Sequence, residues 1–147
     1  MGILIGVMIL LGAYLLAAIP WGLVIGKFRG VDIRKVGSGN IGATNVTRTL
    51  GRGWGRLCFA LDFLKGFVPV YVVGRLTAGG TVEDRGHILL ALTALACVSG
   101  HMWSVYIGFK GGKGVSTAGG ILLALSPFAL VAAGAVWVIV FKISRYV

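Results

Sequence analysis

The sequence contains few acidic residues, few cysteines and few charged residues of any kind. Only 4 of its 147 residues are Asp or Glu, against 14 Lys and Arg, and the net charge is +10. Charged residues make up 12% of the chain, compared with about 25% in a typical soluble domain. The two cysteines, Cys58 and Cys97, stand in apolar runs without the spacing of a metal site. We therefore expect no metal, no disulfide and no cytosolic enzyme, and we assign both thiols to packing.

The sequence is instead rich in hydrophobic residues and in glycine. Hydrophobic residues make up 57% of the chain, more than a soluble globule of this length can bury, which indicates an integral membrane protein. The 25 glycines allow helices to pack closely and leave several positions for backbone loops. We predict an all-α fold, a polytopic transmembrane helical bundle that forms one domain over residues 1–147.

Four apolar runs predict the helices of this bundle, at about residues 3–26, 57–76, 87–108 and 115–141. No basic residue precedes the first run, so it is not a signal peptide, and we expect a retained helix with its N-terminus outside. Seven basic residues and one acid lie between Lys27 and Arg56, which marks this segment as cytoplasmic. The loop that holds Glu83, Asp84 and Arg85 is nearly neutral, as an outside loop should be.

The last apolar run is interrupted at Ser126–Pro127 and permits two interpretations. One tilted helix could cross the bilayer, or two short helices of about 11 and 15 residues could dip in and return. The hairpin returns Lys142 and Arg145 to the basic, cytoplasmic side, whereas a single helix puts them outside. We favour the hairpin for that reason.

The first candidate anion site is a glycine-rich polar segment after the first run, residues 37–45, which we call the first glycine loop. Its glycines allow successive N–H groups to face one concavity, and a helix predicted from about Ala43 to Leu50, ended by Gly51, places the segment at a helix N-terminus. Arg48 lies one turn into that helix and could clamp a phosphate oxygen. The alternative is an ordinary polar connector with Asx turns. The candidate contacts in the segment are Gly37, Ser38, Gly39, Asn40, Gly42, Thr44 and Asn45.

A second glycine-rich loop spans residues 108–117 and carries Lys110 and Lys113. It is not a nucleotide-binding P-loop, because Gly114 follows Lys113 where that motif requires Ser or Thr. Two lysines on a flexible loop that opens a helix still form an anion pocket, with Gly111, Gly112 and Gly114 as its backbone. The alternative is a short connector whose lysines only mark the cytoplasmic side.

Three ionisable residues fall inside the apolar runs. Asp62 and Lys65 are three residues apart on one helical face, and we favour a structural ion pair over direct substrate contact. His101 is either a general base or a hydrogen-bonded structural residue. Ser144 and Arg145 join the surface of both glycine loops only if the hairpin is correct.

These motifs resemble a known family. The segments GSGNIGATNVTRTLG, LDFLKG and GHMWSVYIGFKGGKGVST match, in order and spacing, the bacterial integral-membrane acyl-phosphate:glycerol-3-phosphate acyltransferases, the PlsY family. The resemblance implies a phospholipid-synthesis enzyme of the bacterial inner membrane with seven helices and a cytoplasmic active site. It also implies a chain that is incomplete at its C-terminus, with two further helices and a His/Asn-containing motif in the full-length protein.

The resemblance further implies a reaction and residue roles. An acyl group passes from acyl phosphate to the 1-hydroxyl of glycerol 3-phosphate without a cofactor, giving lysophosphatidic acid and phosphate. The first loop with Arg48 would hold the donor, the second loop with Lys113 the acceptor, and His101, Ser144 and Arg145 would join the site. Within the family, Ser38, Asn40, Arg48, Lys113, Ser144 and Arg145 would be the catalytic set, and neither nucleic acid nor a metal is expected.

Two other functions remain open from the residues alone. A transporter of phosphate or of small organic phosphates would use broken helices around a site at mid-bilayer, whereas both glycine loops are predicted at the ends of spans. A basic scaffold that binds anionic lipid would explain the charge without any reaction.

Overall fold

The computed structural model describes residues 2–78 and 85–144 of the chain. Helices dominate this part, and it contains no β-strand. Two short 3-10 turns, Ile33–Lys35 and Val105–Ile107, lie between the helices. The α-helices are α1 (Ile3–Ala18), α2 (Trp21–Phe28), α3 (Ala43–Leu50), α4 (Arg52–Leu76), α5 (Arg85–Met102), α6 (Val115–Leu125) and α7 (Pro127–Ser144).

Four segments are long and apolar enough to cross a membrane, namely Ile3–Phe28, Arg52–Leu76, Gly86–Ile107 and Pro127–Ser144. The first three overlap the predicted apolar runs, whereas the fourth covers only the second part of the run predicted at 115–141, whose first part forms the separate helix α6. Pro20 divides the first segment into α1 and α2. Helix α4 begins at Arg52, five residues before the predicted start. The chain turns at Gly51, whose φ is +95°, and becomes helical again at once, so a polar first turn precedes the apolar one.

The break at Ser126–Pro127 bends the chain back on itself. A side chain on Gly119 in α6 would come within 3.9 Å of Leu130 Cδ1 in α7, a contact that one straight helix could not make across eleven residues. The hairpin interpretation agrees with this bend. Its predicted lengths are correct for α6, at 11 residues, but too short for α7, which has 18 and can cross a membrane.

Glycines allow the central helices to approach closely. On α4, a Cβ at Gly66 would collide with the Thr117 carbonyl oxygen, and on α6, a Cβ at Gly120 would collide with the Phe63 carbonyl oxygen. The Thr117 hydroxyl then donates to the Asp62 carbonyl oxygen at 2.9 Å. This reciprocal contact fixes α6, and the glycine loop before it, against the middle of α4.

The first glycine loop is held against the bundle by an apolar cluster. Cys58 of α4 belongs to this cluster and is a fully buried, free thiol. Cys97 is equally buried and free, and it belongs to a second cluster between α1, α4, α5 and α6. Both thiols therefore occupy the packing positions that the sequence predicts. The buried residues of the first cluster are Leu23, Ile25, Ile33, Ile41, Val46 and Cys58.

Candidate functional site

Asn45 organises the first glycine loop from within. Its Nδ2 donates to the carbonyl oxygens of Ile33, Val36 and Asn40 at 3.1, 3.0 and 3.0 Å. Its Oδ1 accepts the Ser38 N–H at 2.9 Å, and the residue is 1% exposed. Because both amide atoms are used and buried, Asn45 fixes the shape of the loop. Its predicted contact with substrate stays a prediction.

The loop turns sharply around Asn45. Gly37 and Gly39 have φ angles of +59° and +69°, a conformation that glycine adopts without steric cost. A Cβ on Gly37 would also collide with Asn45 Oδ1. The Asn40 Oδ1 accepts the Gly42 N–H at 2.8 Å, so the Asx turn that the sequence offered as the alternative is present within the loop.

Helix α3 follows directly and has the predicted bounds, Ala43–Leu50. The N–H groups of Ala43 and Thr44, in its first turn, have no carbonyl partner within the helix. The Ser38 and Thr44 side chains near this end are exposed, and so is the Arg48 side chain, which lies one turn further along the helix. Backbone N–H groups and two hydroxyls therefore lie at the positive end of a helix dipole, with a guanidinium one turn away, an arrangement that favours an anion.

The acid nearest this loop in sequence is neutralised. Asp32 forms an ion pair with Arg34, with 2.9 Å between Oδ2 and Nη2. Hydrogen bonds from the Arg34 side chain lower the pKa of Asp32 to about 2. Its charge is thereby committed to Arg34 and does not compete for Arg48.

An open groove of about 460 Å³ lies between α3 and α4 beside the loop. The two helices cross where the Thr47 side chain rests on Gly55. Sequence reasoning missed five groove residues, among them Thr47, Arg56 and Phe59. The spacing of Thr44, Thr47 and Arg48 at i, i+3 and i+4 is the signal that places Thr47 on the face of Arg48. The groove is lined by Ala43, Thr44, Thr47, Arg48, Gly55, Arg56 and Phe59.

The second glycine loop is attached to the end of α5. The Gly111 N–H donates to the Met102 carbonyl oxygen at 2.9 Å, and the Gly112 N–H donates to the His101 carbonyl oxygen at 3.1 Å. Gly114, with a φ of +78°, ends the loop and caps α6. Lys110 and Lys113 remain exposed. The loop thus has a fixed backbone and two free cationic side chains at the start of a helix, as the anion-pocket interpretation requires.

Beneath this loop lies a buried cluster of ionisable side chains, formed by Asp62, Lys65 and His101. Lys65 Nζ is 2.8 Å from Asp62 Oδ1, and the two residues are 2% and 3% exposed. His101 Nδ1 lies 3.4 Å from Lys65 Nζ and 3.8 Å from Asp62 Oδ1. The structure places the predicted pair in contact and adds His101 to it.

His101 supports the second loop rather than lining an open site. The imidazole is buried, and its Nε2 lies so close to Gly112 that a Cβ there would collide with it. This position agrees with the structural alternative that the sequence offered for His101, and its part in substrate binding stays a prediction.

The same cluster links the two loops. The Cys58 Sγ lies 3.9 Å from the Ile41 carbonyl oxygen in the first loop and 3.6 Å from Asp62 Oδ2. From Asp62 the contacts continue through His101 to Gly112 in the second loop. The side chains of Cys58, Asp62 and His101 therefore connect the two loops, and both loops lie around the N-terminal half of α4.

The last two predicted site residues are not brought to either loop by the described contacts. Ser144 ends α7, where its hydroxyl donates to the Val140 carbonyl oxygen at 2.8 Å. Arg145 lies outside the described residues.

The fold defines a multi-pass helical membrane protein in which two glycine loops lie around the N-terminal half of α4. The sequence profile of the glycerol-3-phosphate acyltransferase family matches residues 7–147. The chain belongs to this family.

Two comparisons show how far the likeness extends. A glycerol-3-phosphate acyltransferase of Aquifex aeolicus (strain VF5) is 50% identical over 137 residues, which are 92% of this chain and 67% of that protein. A solved structure of PlsY, an integral membrane glycerol 3-phosphate acyltransferase, in its glycerol 3-phosphate form has a TM-score of 0.82 and 47% identity, covering 93% of this chain and 66% of that one. Its lysophosphatidic acid form has a TM-score of 0.79 and 46% identity, covering 92% and 64%. The chain thus spans about two thirds of the length of these relatives.

Proposed function

We propose that the full-length gene product transfers a fatty acyl group from acyl phosphate to the 1-hydroxyl of glycerol 3-phosphate, giving lysophosphatidic acid and inorganic phosphate. The observation that carries this proposal is the pairing of two glycine loops around the N-terminal half of α4, linked by Cys58, Asp62 and His101. A reaction between two phosphorylated molecules requires two such sites close together. Family membership supports the acceptor, because the relatives are named for glycerol 3-phosphate.

The first loop is proposed to hold the donor. The helix N-terminus, Ser38 and Arg48 offer hydrogen bonds to the acyl phosphate head, while Gly37, Gly39, Asn40, Gly42 and Asn45 set the backbone shape. Thr44 adds a hydroxyl at the same end of α3. Anions at this position gain both from the helix dipole and from charge-assisted hydrogen bonds.

The second loop is proposed to hold glycerol 3-phosphate. Lys113 supplies the charge, and Gly111, Gly112 and Gly114 supply a backbone that the end of α5 fixes. Ser144 and Arg145 are proposed to complete the site from the end of α7. With substrate held on both sides, alignment alone supplies a large part of the rate enhancement.

The chemistry needs positioning and charge stabilisation more than a strong base. Acyl phosphate is a mixed anhydride whose phosphate is a good leaving group. The 1-hydroxyl oxygen attacks the carbonyl carbon, the bond from that carbon to the phosphate oxygen breaks, and phosphate departs. A donor phosphate oxygen accepts the hydroxyl proton, and cations around the phosphate stabilise the charge that develops. No cofactor takes part.

The distribution of basic residues supports a side of the membrane for the reaction. Basic residues concentrate before α4 and after α5, so we place both loops on the cytoplasmic side of a bacterial inner membrane, with the N-terminus outside. We further propose that residues 1–147 form one transmembrane domain, which two more helices complete in the full-length protein.

The test is a transfer assay with the full-length gene product in detergent. Palmitoyl phosphate and radiolabelled glycerol 3-phosphate should yield labelled lysophosphatidic acid and one phosphate per product, and neither substrate alone should react productively. Uptake of glycerol 3-phosphate into sealed vesicles without any acylated product would instead support a transporter. Binding to anionic vesicles that Lys113→Ala barely changes, with no transfer, would support a lipid-binding scaffold.

A further inference from the structure

A row of aromatic side chains runs along α4 from the α3–α4 groove. Phe59, Phe63, Phe67 and Tyr71 recur every four residues, which places them on one helical face. Their successive ring centroids are 6.0, 6.4 and 5.3 Å apart. We call this row the aromatic ladder. Its first member, Phe59, also lines the groove, so the apolar row and the polar groove form one continuous surface.

The polar end of this surface carries positive charge that nothing described neutralises. Arg48 and Arg56 line the groove with Thr44 and Thr47. Across residues 2–78 and 85–144 the acids are Asp32 and Asp62, and these pair with Arg34 and with Lys65. Two guanidinium groups and two hydroxyls, contributed by α3 and the start of α4, therefore line an open groove without a carboxylate, which is the chemistry that recognises a phosphate.

The ladder provides an apolar path away from that charge. Twelve residues separate Phe59 from Tyr71, which corresponds to about 18 Å along a helix. Phe59 and Tyr71 are 50% and 47% exposed, so both ends are accessible, while Phe63 packs beside Gly119 of α6. The path thus follows the contact between α4 and α6. Its length is more than half of the roughly 30 Å thickness of the hydrocarbon core.

We propose that the groove and the ladder together bind a phosphorylated amphiphile with a single chain, with the phosphate between Arg48 and Arg56 and the chain along the ladder. The proposal rests on the proposed function, for which it names the path of the donor's acyl chain. It also assigns Arg56 and Thr47 to the headgroup. A phosphate with a single apolar chain fits because the cationic groove and the ladder share Phe59.

The headgroup is tested with two probes of different chain length, hexadecyl phosphate and butyl phosphate, bound to the full-length gene product in detergent. Arg56→Ala should weaken both by about tenfold, since it removes a charge-assisted hydrogen bond. The matched control is Arg52→Ala, an exposed arginine on the same helix that does not line the groove. Equal losses in the two variants would overturn the headgroup assignment, because they would reflect general surface charge.

The chain path is tested on the ladder itself. Phe67→Ala should weaken hexadecyl phosphate about five- to tenfold and leave butyl phosphate unchanged, because only the long chain reaches that ring. Phe59→Ala should weaken hexadecyl phosphate by a similar factor. Leu57→Ala and Leu64→Ala are the controls, since both are exposed α4 residues outside the ladder. Losses shared by the controls would show a surface that faces bilayer lipid. Reduced thermal stability without a dependence on chain length would show packing against a further protein segment. Either result overturns the proposal.

The same variants separate this inference from the proposed function. If the protein transfers acyl groups but Phe59→Ala and Phe67→Ala leave its preference among donor chain lengths unchanged, the path is wrong and the reaction stands. If no donor is used by the unaltered protein, the reaction fails, while probe binding still reports on the groove.

Discussion

Removing one member of the Asp62–Lys65 pair should destabilise the protein strongly, and removing both should cost much less than the sum of the two. At 2.8 Å and an effective dielectric constant of about 20, the Coulomb attraction is about 6 kcal/mol, part of which offsets desolvation. Loss of one partner leaves a buried, uncompensated charge, for which we expect a cost of about 3–5 kcal/mol.

The two single variants should differ in a defined order. In Lys65→Met the remaining carboxylate still has His101 Nδ1 at 3.8 Å from the same oxygen, and protonation of the imidazole would restore a counter-charge. In Asp62→Asn the remaining ammonium faces the imidazole at 3.4 Å and has no acid to replace the lost one. Asp62→Asn should therefore be the more destabilising change.

The assay is reversible unfolding of the purified protein in mixed micelles, for both single variants and the double variant. A coupling energy of about 1–3 kcal/mol is expected from the cycle. Asp32→Asn serves as a control, because its partner Arg34 is exposed and exposed ion pairs contribute little. Additive effects, or single variants as mild as the control, would refute the view that the cluster holds the loops together.

Further predictions concern the loops and acid stability. Ser38→Ala and Arg48→Ala should raise the KM for acyl phosphate, and Lys113→Ala should chiefly raise the KM for glycerol 3-phosphate, both measured from initial rates. An unchanged KM for acyl phosphate in the first two variants would contradict the role of the first loop. Asn45→Ala should lower the free energy of unfolding by about 1–3 kcal/mol, since it leaves buried backbone groups unpaired, and it should increase proteolysis near Gly37. A stability equal to that of the unaltered protein would contradict the organising role of Asn45. The pKa of Asp32 falls from 3.8 to about 2 on folding. The stability that its pairing with Arg34 contributes should therefore be present above pH 4 and lost as the pH falls towards 2. Arg34→Ala should reduce this part of the acid-unfolding profile, and an identical profile would contradict the pairing.

The sequence predicts the membrane helices and the position of both loops because those features depend on local signals. Helix α3 is predicted to the residue, since the polar turn before Ala43 and Gly51 after Leu50 mark its ends. The start of α4 is missed because hydropathy detects only the apolar part of a helix, and its first turn is polar. The length of α7 is missed for a similar reason, as its last turn includes Lys142 and Ser144.

The roles of individual polar residues are harder to predict, because they depend on contacts between distant parts of the chain. Asn45 in a glycine loop suggests a ligand contact, and only the fold shows that Ile33 and Val36 use its amide. Likewise, His101 lies 36 residues from Lys65, and no local pattern indicates that they meet. Thr47 and Arg56 belong to one groove only because α3 and α4 pack at Gly55.

The central claim is that the two glycine loops lie side by side at one end of the bundle. Spin labels at Lys35→Cys and Lys110→Cys, both exposed loop positions, measure it directly, since Cys58 and Cys97 are fully buried and stay unlabelled. The structure predicts a distance well below the roughly 30 Å thickness of the hydrocarbon core. A distance at or above that thickness would contradict the claim and leave the two phosphates without a place to meet.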